Sequence, residues 1–155
     1  MFDIVATGGT FDILHKGHYM LLLKAFEVGR RIIIGITSDS FASRKQKKII
    51  NNYGIREENL KKFIDKNFKK SNYSLYQLDD FFGPTVLTRD VQAIITTESS
   101  LENCVRINKL REAKGMPQLE IILVPLVEDK EGKVISSTRI REGEIDINGN
   151  KLTLY

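Results

Sequence analysis

Both histidines of this 155-residue chain, His15 and His18, lie three positions apart in the segment ATGGTFDILHKGH. Two imidazoles at this spacing can donate hydrogen bonds to one anion. The preceding Gly8 and Gly9 permit close approach of a ligand to the backbone, and Thr10 adds a hydroxyl donor. These residue types therefore predict an oxyanion site in this segment.

Two other interpretations of the same residues stay open. The glycines could form an ordinary turn, with one histidine as a helix cap and the other on the surface. The histidines could also ligate a metal ion, as side chains at i and i+3 of a helix can. A third ligand would then have to be an aspartate or a glutamate, because the chain has no further histidine and a single cysteine, Cys104.

Strand-like and helix-like patterns alternate along the chain. In chain order, the predicted strands are FDIVATGG, RRIIIGIT, SLYQL, VQAIITT and LEIILVPLV. The predicted helices are HYMLLLKAFEVG, IREENLKKFIDKNF, SLENCVRINKLREAKG and the short TRIREG. This alternation predicts a single α/β domain over residues 1–155, with a Rossmann-like, open, mostly parallel sheet and helices on both faces.

The histidine segment follows the first predicted strand directly. In open parallel sheets, ligands bind beyond the carboxyl ends of the strands, near a switch in strand order. Gly17 and His18 stand at the start of the next helix, where free backbone N–H groups and the helix dipole favour a phosphate. The position in the fold therefore agrees with an anion site.

The composition limits the classes of partner. With 24 Lys and Arg against 20 Asp and Glu, the net charge of +4 suits an anionic ligand but is too small to indicate nucleic acid, and the basic residues lack interleaved aromatic residues. No apolar run approaches the roughly 18 residues that span a bilayer. The single cysteine excludes an internal disulfide. We expect a cytoplasmic protein without a nucleic-acid or membrane partner.

Two strings at opposite ends of the chain resemble one enzyme superfamily. GGTFDILHKGH is similar to the GTFD and HxGH motifs of the nucleotidyltransferases, and ISSTRIR at residues 135–141 is similar to their C-terminal ISSTxxR motif. The resemblance implies attack on the α-phosphate of a nucleoside triphosphate, with pyrophosphate as the leaving group. It also implies that His18 stabilises the transition state and that His15 assists. Together, the residue types and the resemblance predict that ATP contacts Gly8, Gly9, Thr10, His15, Gly17, His18, Glu98, Ser136, Ser137 and Arg141, with Arg139 as a further candidate.

Further strings narrow the resemblance to the phosphopantetheine adenylyltransferases of the archaeal and eukaryotic type. These strings are KVISSTRIREGEID, DFFGPT, TTESS and NKLREAKG, so the resemblance covers nearly the whole chain. It implies transfer of AMP from ATP to 4′-phosphopantetheine, with Mg²⁺ on the triphosphate and no metal-binding side chain. It also implies a monomer rather than the hexamer of the bacterial type.

The resemblance also assigns residues to the acceptor. The implied acceptor contacts are Thr10, Lys45, Asp80, Phe81 and Phe82. Lys45 is matched to a catalytic lysine that follows the second strand, and Lys48 is its competitor. Arg56 is similar to an arginine that opens the next helix, and we expect a structural role for it.

Two other functions remain as alternatives. An FMN or glycerol-3-phosphate nucleotidyltransferase would share the first motif, although the C-terminal string of those enzymes tends towards RTxGISTT rather than EGKVISSTRIR. A non-catalytic nucleotide-binding module would share the fold. Both motifs are intact in this chain, which favours an enzyme.

Overall fold

The computed structural model contains one five-stranded sheet, in which all neighbouring strands are parallel in the order β3-β2-β1-β4-β5. The structure describes residues 1–45, 48–69, 71–83, 85 and 88–152. The strands are β1 (Phe2–Gly9), β2 (Gly29–Thr37), β3 (Tyr73–Leu78), β4 (Ala93–Thr96) and β5 (Glu120–Leu123). The predicted α/β class and all five predicted strands are confirmed.

The last strand is shorter than its apolar run suggests. The sequence predicts a strand as far as Val127, but β5 ends at Leu123. The backbone N–H of Val124 still donates to the carbonyl of Thr96, at 2.7 Å. Pro125 has no N–H to continue the ladder, so the chain leaves the sheet there.

Among the described residues, five α-helices accompany the sheet. They are α1 (Lys16–Val28), α2 (Asp39–Arg44), α3 (Tyr53–Asn67), α4 (Leu101–Ala113) and α5 (Ser137–Arg141). The four predicted helices correspond to α1, α3, α4 and α5, whereas α2 was not predicted because six residues are too few to show a helical period. Across the described ranges, every helix is too short or too polar to cross a membrane.

The helices lie on both faces of the sheet, as predicted. Successive side chains of β2 point to opposite faces. Ile32 belongs to a buried cluster that contains Leu22 of α1 and Leu60 of α3. Its neighbour Ile33 belongs to a second buried cluster that contains Ile107 of α4. Helices α1 and α3 therefore cover one face, and α4 covers the other.

A buried arginine fixes the connection into β4. The side chain of Arg111, in α4, is completely buried. Its guanidinium donates to five backbone carbonyls at 2.6 to 3.2 Å, those of Thr85, Thr88, Arg89, Val91 and Pro117. Because a guanidinium carries five N–H donors, these carbonyls can compensate much of its lost hydration. The clamp holds the start of β4, whose other end borders the candidate site.

Candidate active site

A cavity of about 360 Å³ opens at the carboxyl ends of β1 and β4. These strands are adjacent in the sheet but distant in the chain, so the cavity lies at the switch in strand order. Nine of the ten residues predicted to contact ATP line it, and the exception is Glu98. The structure therefore brings the two sequence motifs together around one opening. We call it the larger cavity, to distinguish it from a smaller one that also borders residues 8–10 and is described below.

The two histidines cap the first turn of α1. The N–H of Gly17 donates to Nδ1 of His15 at 3.0 Å, and the N–H of His15 donates to Nδ1 of His18 at 3.2 Å. Both Nδ1 atoms are therefore acceptors, which in a neutral imidazole leaves the hydrogen on Nε2. Each ring carries one N–H donor on its outer edge, and both rings line the larger cavity.

The capping arrangement requires glycine at position 17. A Cβ atom there would lie 2.8 Å from Cε1 and 3.0 Å from Nδ1 of the His15 ring. Contacts this short would force the ring to move. The spacing of the HxGH string thus has a local cause, because Gly17 leaves room for one histidine and donates the hydrogen bond that fixes it.

The histidine rings are packed as well as hydrogen-bonded. The ring centroids of His15 and His18 lie 3.9 Å apart, and that of Phe11 lies 5.1 Å from His18. Burial lowers the pKa of His15 to about 4, so this imidazole is neutral at pH 7. Phe11 is buried in the left-handed region (φ 53°), which is strained for a residue with a side chain.

Asp12 joins three segments that surround the larger cavity. Its buried carboxylate accepts hydrogen bonds from the backbone N–H groups of Ile50 and Asn51, each at 2.9 Å, and from Nη2 of Arg141 at 2.6 Å. Burial alone would raise the pKa of Asp12, but these donors outweigh burial and hold the pKa below its usual value. The carboxylate is therefore ionised and orients Arg141.

One donor of Arg141 has no partner. Within the described residues, its Nε is buried and has no hydrogen-bond partner. Buried polar groups are nearly always paired, so an orphaned donor is unusual in a side chain that lines the larger cavity.

The two serines of the second motif position α5 against the first motif. Ser136 caps the helix by accepting a hydrogen bond from the N–H of Arg139 at 3.2 Å. The hydroxyl of Ser137 donates to the carbonyl of Ile13 at 2.9 Å. Both serines line the larger cavity, and Ser137 fastens α5 to the loop that carries the histidines.

Arg139 does not line the larger cavity. Its guanidinium forms ion pairs with Asp129, at 2.6 Å, and with Glu144, and it donates to the carbonyl of Val134 at 2.8 Å. These contacts close the turn between residues 128 and 134. The structure thus gives Arg139 partners of its own outside the predicted ATP site.

A smaller cavity of about 140 Å³ lies on the other side of residues 8–10. Its lining combines apolar side chains, among them Phe41 and Phe81, with polar ones that include Thr10 and Thr37. The ammonium of Lys45 lies 4.9 Å from the ring centroid of Phe41 and 4.6 Å from that of Phe81. A cation beside aromatic rings in a pocket suits a ligand with one anionic end.

The two candidate lysines lie on different sides of the site. Lys45 lines the smaller cavity, whereas Lys48 lines the larger one. Ile50 and Asn51, shortly after Lys48 in the chain, are tied to the first motif through Asp12. The sequence presented them as competitors for one role, but their positions allow a separate phosphate contact for each.

Arg56 lies beneath this site and is completely buried. Its guanidinium donates to the carbonyls of Thr10 at 2.8 Å and Asn51 at 3.0 Å, and to the carboxylate of Asp39 at 2.8 Å. It thereby connects the ends of both cavities to α2. The expectation of a structural role agrees with these contacts.

The DFFGPT segment contributes one of its three predicted acceptor residues. Phe81 lines the smaller cavity, but Asp80 and Phe82 line neither cavity. Asp80 instead accepts from the N–H groups of Phe82, at 2.9 Å, and Gly83, at 3.0 Å, which forms a turn. Phe82 packs against the buried cluster under α4. Pro84 lies outside the described residues.

Glu98 is exposed in a short 3-10 turn that precedes α4. Its neighbours Thr97 and Ser99 line the larger cavity, but Glu98 itself does not. A contact between Glu98 and ATP stays a prediction.

The metal interpretation of the histidines receives no support from their geometry. Both Nδ1 atoms already accept backbone hydrogen bonds. In the part of the chain that the structure describes, no group of three or more His, Cys, Asp and Glu residues is arranged to hold a metal ion. The arrangement presents N–H donors to the larger cavity, which suits a phosphate.

Comparisons with known proteins agree with this geometry. The family model described as cytidylyltransferase-like matches residues 6–143. The phosphopantetheine adenylyltransferase of Methanothermobacter thermautotrophicus is 40% identical over 149 residues, covering 96% of this chain and 89% of the relative. That of Pyrococcus abyssi is 40% identical over 154 residues, covering 97% and 96%.

A solved structure also matches. A crystal structure of an Archaeoglobus fulgidus protein of unknown function has a TM-score of 0.71 and 29% identity. The match covers 79% of this chain and 89% of that one. The family model, the relatives and the shared fold agree that this chain belongs to the cytidylyltransferase-like family.

Proposed function

We propose that this protein transfers AMP from ATP to 4′-phosphopantetheine, which gives dephospho-coenzyme A and pyrophosphate. One observation carries the proposal: a cavity lined by both motifs meets a second cavity in which Lys45 lies beside two aromatic rings, and residues 8–10 line both. ATP occupies the larger cavity, and the acceptor occupies the smaller one. The 40%-identical relatives named phosphopantetheine adenylyltransferase support this assignment.

The reaction is an in-line displacement at the α-phosphate. An oxygen of the acceptor's phosphate forms a bond to the α-phosphorus while the bond from that phosphorus to the β-phosphate oxygen breaks, and pyrophosphate leaves with the electron pair. Attacking and leaving groups must lie on opposite sides of the α-phosphate. Two cavities on either side of residues 8–10 satisfy that requirement.

The acceptor needs no general base. A phosphate monoester has a second pKa of about 6, so it is largely ionised at neutral pH. Catalysis then depends on positioning and on stabilising the charge of the transition state. A site with neutral imidazoles and hydroxyls, rather than a base held by a carboxylate, suits this chemistry.

His18 is the proposed transition-state stabiliser, through its Nε2–H. His15 assists as a second neutral donor, because its pKa near 4 excludes an imidazolium at pH 7. The start of α1 adds the positive end of a 13-residue helix dipole. Thr10 adds a hydroxyl at the junction of the two cavities.

The leaving pyrophosphate is assigned to the side of the second motif. Arg141, Ser136 and Ser137 line that wall, and Lys48 lies across the same cavity. The guanidinium of Arg141, which Asp12 orients, is the cation of that wall. ATP enters as its Mg²⁺ complex, with the metal held by phosphate oxygens and water, which is the usual mode for this ion.

The acceptor phosphate is assigned to Lys45 and Thr10, and the pantetheine arm to the apolar wall around Phe81. The alkyl parts of the arm gain from burial against such a wall, whereas its amides need hydrogen-bond partners there. The proposal includes a monomeric enzyme in the cytoplasm that uses neither nucleic acid nor membrane.

A panel of acceptors tests the function. Pyrophosphate release is measured from ATP with 4′-phosphopantetheine, pantetheine, FMN or glycerol 3-phosphate, one at a time. We expect release with 4′-phosphopantetheine alone. Pantetheine is the matched control, because it keeps the arm and lacks the attacking phosphate. Release with FMN or glycerol 3-phosphate but not with 4′-phosphopantetheine would overturn the proposal in favour of another acceptor.

A further inference from the structure

Thr37, the last residue of β2, contacts the residue at the junction of the two cavities. Thr37 is 2% exposed, and its hydroxyl donates to the hydroxyl oxygen of Thr10 at 3.2 Å. The two threonines can meet because β1 and β2 are adjacent and parallel, with Gly9 opposite Ile36. Both side chains therefore lie at the carboxyl ends of neighbouring strands.

A buried guanidinium favours this direction of the hydrogen bond. Nη1 of Arg56 lies 3.5 Å from Oγ1 of Thr37, a long contact in which the guanidinium can only donate. The Thr37 oxygen therefore faces a donor, and its single hydrogen is directed to Thr10. Thr10 accepts this bond and keeps its own hydrogen, and within the described residues its hydroxyl donates no hydrogen bond.

We propose that Thr37 is a positioning residue that leaves the Thr10 hydroxyl hydrogen available to the phosphates at the junction. This inference rests on the proposed adenylyl transfer. Donors in a chain strengthen one another, because each accepted bond polarises the next hydroxyl. The hydrogen bonds run from Arg56 to Thr37 and from Thr37 to Thr10. Of these three side chains, Thr10 is the one that lines both cavities.

The inference predicts a specific pattern of kinetic effects. Thr37→Val removes the donor with little change of shape, and we expect kcat to fall about 3- to 10-fold. The KM for ATP should change less than about twofold, because the bond acts on the transferring phosphate rather than on nucleotide binding. Thr37→Ser keeps the hydroxyl and should retain kcat within about twofold.

A double-mutant cycle separates this role from a direct or a structural one. Thr10→Val should lower kcat by about 10²-fold, as loss of a transition-state donor does. In that background, Thr37→Val should have no further effect on kcat, because Thr37 acts through Thr10. An equal loss with and without the Thr10 hydroxyl would overturn the inference, and so would wild-type kcat in Thr37→Val.

Thr7→Val is the matched control. Thr7 is also buried, and its hydroxyl donates to the carbonyl of Ile95 at 2.8 Å, but it lines neither cavity. We expect a comparable change in melting temperature for Thr7→Val and Thr37→Val, with a fall in kcat only for the latter. A fall in kcat of the same size in both would contradict the inference. Absence of pyrophosphate release by the wild-type protein would instead overturn the proposed function as well.

Discussion

The two cavities share residues 8–10 but are built in different ways. The larger cavity is walled by imidazoles, hydroxyls and a guanidinium, and contacts between distant parts of the chain hold it together. Arg141 pairs with Asp12 across 129 residues, and Ser137 donates to Ile13 across 124. The smaller cavity has two aromatic rings in its wall, with the Lys45 ammonium beside both.

This difference assigns the transfer reaction to the larger cavity and the selection of the acceptor to the smaller one. Hydrogen bonds and ion pairs have directional geometry, so the larger cavity presents its donors at defined positions, as phosphate transfer requires. The aromatic wall of the smaller cavity fixes shape with less directionality, and it suits an extended arm. Substitutions in the larger cavity should therefore affect kcat or the KM for ATP, whereas substitutions in the smaller cavity should affect the KM for the acceptor.

The largest effect should follow loss of His18. His18→Ala removes the Nε2–H donor beside the α-phosphate, and we expect kcat to fall by about 10³-fold. ATP binding should change less than about threefold, because the remaining cavity wall is intact. Steady-state pyrophosphate release and calorimetric titration with ATP measure the two quantities. Activity like that of the wild type would refute the assigned role.

Two amide substitutions of His18 distinguish the roles of its two ring nitrogens. Asn can place its oxygen near Nδ1 and so accept the bond from the N–H of His15, but it is too short to replace Nε2. Gln reaches further and can place an N–H near the Nε2 position. His18→Gln should therefore retain more kcat than His18→Asn, and the reverse order would show that the capping bond matters more than the outer donor.

The next largest effect should come from Gly17→Ala. The added methyl would lie 2.8 Å from Cε1 of His15 and displace that ring, and a displacement of about 1 Å can cost up to about 10²-fold in kcat. Gly54→Ala is the control, because the nearest atom to its Cβ would lie at an ordinary 3.6 Å. Equal kcat values for the two variants would contradict the role of Gly17 in positioning the His15 ring.

A weaker effect, confined to the acceptor, is expected from filling the smaller cavity. Asn103 of α4 is half-buried and lines the smaller cavity. Asn103→Trp should raise the KM for 4′-phosphopantetheine about tenfold and leave the KM for ATP within about twofold. Arg106→Trp, on the exposed side of the same helix, should change neither constant. A rise in the KM for ATP alone would reverse our assignment of the cavities.

The smallest effect concerns pH. His15 has a folded-state pKa of about 4 against a usual 6.5, so the unfolded chain binds a proton first as the pH falls. The contribution of His15 to stability is complete above pH 6.5 and decreases between pH 6.5 and 4. As the pH falls through this interval, the melting temperature of the wild type should decrease more than that of His15→Asn. A constant difference would contradict the neutral, buried state of His15.

The sequence predicted the elements whose signals are local. Alternating apolar runs indicated the five strands, and the two motifs indicated the residues around the larger cavity. The unpredicted α2 depends on one serine cap, with the N–H of Phe41 donating to Ser38 at 3.1 Å. Pro125 was visible in the sequence, but the strength of the surrounding apolar run led to an overlong last strand.

The rest depended on contacts between distant residues. Asp12 lies inside the first motif, yet nothing in its position along the chain indicates that it holds Arg141 and the loop at residues 50–51. Likewise, the sequence could not indicate that Arg139 is engaged by Asp129, nor that Thr37 would reach Thr10. A residue at the end of a strand that neighbours the first motif is the signal that could have pointed to Thr37.

Isotope transfer tests the central claim most directly. ATP is incubated with 4′-phosphopantetheine that carries ¹⁸O in its phosphate, and the products are analysed by mass spectrometry. Attack of the acceptor's phosphate on the α-phosphorus predicts that all of the label stays in dephospho-coenzyme A and that the pyrophosphate is unlabelled. Labelled pyrophosphate, or release of AMP without labelled dephospho-coenzyme A, would contradict the account.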